Sequence, residues 1–129
     1  MNGRFLLDTN IIIALFAKDQ GVHDHIIHAK EIFVPCIALG ELYFGANKSQ
    51  RAGDNIKRLD EFAHTMTVLM CDIQTAKMYG EIKGRLKTKG RFIPENDIWI
   101  AALARQYDLT LATKDTHFNS VAHIRTQAW

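Results

Sequence analysis

Four acids in this sequence stand in apolar surroundings, where a charged carboxylate is costly unless it is paired or bound to a cation. Asp8 ends the run Phe5-Leu6-Leu7 and is followed by Thr9, Asn10 and the apolar stretch from Ile11 to Ala17. Glu41 is the one acid within Ile37 to Ala46, and no Lys or Arg lies within a helical turn of it. Asp97 immediately precedes Ile98-Trp99-Ile100, and Asp115 follows the run Leu109 to Thr113 by way of Lys114. Carboxylates brought within a few Å of one another cannot all ionise near neutral pH unless a cation compensates them. Oxygen-only ligation selects a hard divalent ion, Mg²⁺ or Mn²⁺, over zinc. Each acid also has a plainer role available. Asp8, Thr9 and Asn10 all suit a helix cap, and either Glu95 or Asp97 would satisfy the first turn of a helix opening at Pro94.

The elements that must position these acids alternate along the chain. Short β-branched or aromatic runs at 5–7, 31–35, 66–70 and 109–113 read as strands, with a weak last strand at 123–125. Helical spacing occupies 10–18, 23–30, 37–46, 48–63, 75–88 and 94–104, with Gly21 expected to end or follow the first helix and Gly90 to cap the fifth. Strand-helix alternation argues for a three-layer α/β/α sandwich around a mostly parallel sheet with right-handed crossovers. Ligands in such a sheet bind outside the carboxyl ends of the strands. If the first and fourth strands are neighbours, Asp8, Glu41, Asp97 and Asp115 converge on one cleft. Asp97 is then expected at the rim of the core, and Glu95 in water.

A chain of 129 residues, 47% hydrophobic, is the right size for a single domain spanning 1–129. Its net charge of +2 argues neither for nor against a polyanionic partner. The distribution is more telling, because Lys83, Arg85, Lys87, Lys89 and Arg91 crowd one helix end just before Glu95 and Asp97. Such cations can simply complement the helix dipole. The apolar stretches are too short for a signal peptide or a membrane span. Cys36 and Cys71 read as reduced core thiols, which makes the cytoplasm the expected compartment. His23, His25 and His28 invite a zinc site, but no cysteine stands near to complete four ligands, and a solvated helix face is the better reading.

In Leu7-Asp8-Thr9-Asn10, in Gly40-Glu41-Leu42 with Gly45, in Asn96-Asp97 followed by Ile100-Ala101-Ala102 and Ala104, and in Thr113-Lys114-Asp115 with Phe118, the chain resembles the PIN-domain ribonucleases, and among them the VapC-like toxins of bacterial toxin-antitoxin modules. The resemblance covers nearly the whole chain. It implies a metal-dependent endoribonuclease that leaves a 5′-phosphate and a 3′-hydroxyl. Asp8 and Asp97 would be the firmest metal ligands, Glu41 and Asp115 would complete the acidic set, and Thr9, Asn10 and Thr113 would support them. It also implies an antitoxin partner and a homodimer. RNA would need cations at the border of an acidic cleft, for which Lys83, Arg85, Lys87, Lys89, Arg91 and Lys114 are candidates, with Lys48 and Arg51 behind them. One departure is His117, where many such proteins carry a further acid; it bears on whether one or two ions bind.

Two other readings share the layout. A receiver-type phosphoacceptor needs an acceptor Asp after the third strand and a Lys after the last, for which Asp72 and Lys114 are available, but it also pairs two acids after the first strand, where Thr9 follows Asp8 here. A catalytically silent RNA-binding module of the same fold would not need all four acids, and all four are present.

Overall fold

The computed structural model of the chain describes residues 3–129. It contains five strands, β1 (Arg4–Leu7), β2 (Glu31–Pro35), β3 (Thr67–Leu69), β4 (Thr110–Thr113) and β5 (Arg125–Ala128), in the order β3-β2-β1-β4-β5. All four pairings are parallel, so the sheet is wholly rather than mostly parallel. The helices are α1 (Thr9–Phe16), α2 (Gln20–His28), α3 (Cys36–Asn47), α4 (Ala52–Thr65), α5 (Ile73–Thr88) and α6 (Glu95–Gln106), with a 3-10 turn at His117–Ser120.

Strand side chains alternate between the two faces, and that alternation divides the core in two. Leu6, Phe33, Leu69 and Leu111 point toward α5 and α6, where they meet Ile82, Leu86, Ile98 and Leu103. Phe5, Leu7, Ile32, Val34, Val68 and Ala112 point the other way, toward Ile11, Ile12, Val22, Ala38 and Leu39. Each fully buried Leu or Ile contributes roughly 1.5–3 kcal/mol, so the central strands are fixed in register by their apolar faces. β1 lies between β2 and β4, which puts Leu7 opposite Ala112. Asp8 extends that register, its N–H donating to Ala112 O at 3.0 Å.

Several local expectations are corrected. Gly21 follows the first helix rather than ending it, and sits inside α2, which Asp19 caps by accepting from Val22 N at 3.1 Å; Lys18, at φ 62°, makes the turn. The fourth helix begins at Ala52 rather than Lys48. The last strand covers Arg125–Ala128 and not 123–125, because His123 at φ 65° takes the chain through a left-handed turn first. Its sequence, RTQA, carries no apolar signature because it is a largely exposed edge strand. The cysteines are not core residues: Cys36 is half-buried and Cys71 exposed. Among the described residues no helix is long and apolar enough to cross a membrane.

Candidate active site

The acids are delivered by the strand ends. Asp8 follows β1 directly and caps α1, accepting from Thr9 N at 2.8 Å. Its other oxygen accepts from Thr113 Oγ1 at 2.7 Å across 105 residues of sequence, a bond the β1–β4 pairing makes possible. Asn10 ties this pair to the fourth acid, because its Nδ2 lies 3.3 Å from Asp8 Oδ2 and 3.2 Å from Asp115 Oδ2. Asn10 Oδ1 in turn accepts from Lys114 N at 3.1 Å. Thr9 reaches the other way and donates to Glu41 Oε1 at 2.8 Å. Thr113 completes the mesh by accepting from Asp115 N at 3.0 Å.

Asp97, in the first turn of α6, meets His117, whose Nε2 lies 2.6 Å from Asp97 Oδ2 and 3.8 Å from Asp115 Oδ2. Asp97, Asp115 and His117 offer ligand atoms all within 4.8 Å of one another. A cleft of about 490 Å³ opens over this cluster, lined by Thr9, Asn10, Glu41, Asp97, Asp115 and His117 among others. Asp8 lies beneath, almost wholly buried.

The electrostatics follow from the packing. Burial pushes the Asp8 carboxyl up; its hydrogen bonds to Thr113 and Thr9 pull it back, and the charges of Asp115 and Glu41 push it further. Asp97 is raised to about 6, first by burial and then by the charge of Asp8, with His117 opposing. The helix dipole at the start of α6 favours an anion by at most a kcal/mol or two, and here desolvation and like charge outweigh it. Among the described residues the only ion pairs reaching the four acids come from His117. A set of carboxylates crowded into one cleft fits a divalent cation by the chemistry of its donors.

The basic candidates are dispersed. Lys83, Lys87 and Arg91 share one face of the α5 end and line a groove with Glu95, whereas Arg85 and Lys89 line a different depression near Val121. Lys114 directs its amine to the Trp129 carbonyl at 2.7 Å. Lys48 lies over the Phe44 ring and Arg51 pairs with Asp54. Glu95 faces water, as its sequence context suggests, but is held by Lys83 and by the Tyr79 hydroxyl. Within the cluster His23, His25 and His28, His28 Nδ1 contacts Asp24 O and His25 stacks on Trp129. Asp72, the acceptor that a receiver requires, is committed to capping α5, accepting from Thr75 N and Gln106 Nε2. In the sequence His117 is legible only as a departure from the family pattern, with no sign of its place in the cluster.

The sequence matches the PIN domain over residues 5–124. It is 34% identical, over 98% of both chains, to a protein from Haemophilus influenzae named Ribonuclease VapC2. It is 32% identical, again over 98% of both, to the tRNA(fMet)-specific endonuclease VapC of Shigella flexneri. The crystal structure of DNA-bound VapBC from Salmonella typhimurium superposes with a TM-score of 0.90 at 29% identity, covering 98% of each chain. The chain thus belongs to the PIN-domain family and, within it, to the group of the VapC ribonucleases.

Proposed function

We propose that this chain is the endoribonuclease toxin of a toxin-antitoxin module, and that it hydrolyses RNA phosphodiester bonds at the acidic cleft with a divalent cation, Mg²⁺ or Mn²⁺. The observation that carries this reading is the convergence of Asp8, Glu41, Asp97 and Asp115 around one cleft where, among the described residues, no Lys or Arg side chain forms an ion pair with any of them. Asp8 and Asp97 would hold the ion, with Glu41 and Asp115 completing the set. Bound there, the cation supplies Lewis acidity and lowers the pKa of a coordinated water. The chain's own residues do the positioning. Thr113 and the Thr9 N–H fix both oxygens of Asp8, Thr9 aims Glu41, Asn10 sets the separation of Asp8 from Asp115, and His117 holds Asp97.

The name of the relative from Shigella flexneri makes transfer RNA the first substrate to try. The family's paired assemblies make an antitoxin the expected partner, and a second copy of this chain a further one. An apolar groove of about 280 Å³ that shares Thr9 and Glu41 with the cleft is a suitable seat for an antitoxin segment. The cytoplasm, where such RNA resides, is the expected compartment.

The test is incubation of the purified chain with transfer RNA in Mg²⁺ or Mn²⁺, with mapping of the ends. Fragments bearing a 5′-phosphate and a 3′-hydroxyl, abolished by EDTA and by Asp8→Asn, are expected. Cleavage that survives both treatments would remove the acidic cleft from the reaction.

A further inference from the structure

Among the described residues Phe92 is the most exposed large apolar side chain, 87% accessible, and it stands where Lys83, Lys87 and Arg91 border the apolar residues Leu86, Ile93 and Ile98. Its projection has a local cause. α5 closes with Gly90 at φ 67°, Arg91 N donates back to Leu86 O at 2.9 Å, and the reversed chain throws Arg91 and Phe92 outward before Pro94 starts the next helix. Lys83, Lys87 and Arg91 lie four residues apart on one side of this end and line a groove of about 180 Å³ with Phe92. Glu95 lines both this groove and the acidic cleft, so the two are neighbours. Lys83 is committed to Glu95 at 2.9 Å, whereas among the described residues Lys87 and Arg91 enter no ion pair.

We propose that Phe92, Lys87 and Arg91 form a second RNA subsite beside the cleft, in which Phe92 stacks on one unpaired base and the two cations hold the flanking phosphates. This rests on the ribonuclease reading above. Charge chooses the occupant. A two-fold contact with a second copy through this patch would set the same unpaired cations against one another, whereas single-stranded RNA supplies the anions and a ring to stack. The subsite would also explain how an RNA strand is retained at the border of a cleft that repels it.

The experiment measures binding of the full chain to a fluorescein-labelled oligoadenylate of about eight nucleotides, in EDTA to prevent cleavage. Phe92→Ala is expected to weaken binding about tenfold, Phe92→Leu to weaken it as much, and Phe92→Trp to retain it. Lys87→Ala and Arg91→Ala should each lower the slope of log affinity against log salt by about one. An oligomer abasic throughout should bind wild type and Phe92→Ala equally. Unchanged affinity in Phe92→Ala, or full affinity in Phe92→Leu, would overturn the stacking role. A shift of Phe92→Ala from dimer to monomer with RNA affinity intact would assign the patch to a second copy instead. A wild-type chain that cuts RNA while Phe92→Ala is unaffected defeats the subsite alone; a wild-type chain that neither binds nor cuts RNA defeats the ribonuclease reading, and the subsite with it.

Discussion

His117 Nε2 lies 2.6 Å from Asp97 Oδ2, which makes a histidine the hydrogen-bonding partner of a half-buried acid in the cleft. The contact lowers the Asp97 carboxyl against the effects that raise it, burial and the charges of Asp8 and Glu41. His117→Ala should therefore let that carboxyl rise further. The acidic limb of the RNA-cleavage profile should move to higher pH by about half to one unit, while activity at the alkaline plateau changes less. An unshifted limb would show that Asp97 does not govern it.

The same raised carboxyl predicts how stability depends on pH in the metal-free protein. Folded Asp97 keeps its proton up to about pH 6, whereas its ordinary value is 3.8, so between those values the folded state binds more protons than the unfolded one. Stability must then fall as pH rises through that window. Asp72 and Glu95, both held low by hydrogen bonds, act in the opposite sense, but at lower pH, where they begin to lose their charge. Asp97→Asn should remove much of the fall between pH 4 and 6 and raise metal-free stability at pH 7 by on the order of 1–3 kcal/mol. Thermal melts in EDTA across this range are the check, and a parallel pair of curves would refute the linkage.

Thr113 serves two acids at once, donating to Asp8 and accepting from the Asp115 N–H. Thr113→Val keeps the volume and removes both bonds, leaving a buried carboxylate short of a donor. The loss should be about 1–3 kcal/mol at neutral pH, with slower cleavage. Thr113→Ser should restore both, and a destabilised Ser variant would indicate that the methyl group, rather than the hydroxyl, is what the site needs.

Much of this arrangement was legible in the sequence because burial is written in the residues around each acid. The order of strands and helices followed from apolar periodicity, and the pairing of β1 with β4 is what sets Asp8 beside Thr113. Features decided by backbone turns were hidden. Nothing in the residue types at Lys18 or His123 announces a positive φ, so periodicity alone misplaces the start of α2 and the position of β5. Cys71 follows Leu69 and Met70 and so reads as a core residue, yet the chain has already left the sheet there. His117 was out of reach for a different reason: its partner lies 20 residues away on another element, and only the fold makes the contact.

The central claim is that these four carboxylates share a cation, and calorimetric titration of Mn²⁺ into the purified chain tests it most directly. Saturable binding at neutral pH is predicted, weakening as pH falls below about 6 because protons compete at Asp97, and lost in Asp8→Asn. A wild-type chain that takes up no ion, or an Asp8→Asn chain that binds it equally well, would contradict the account.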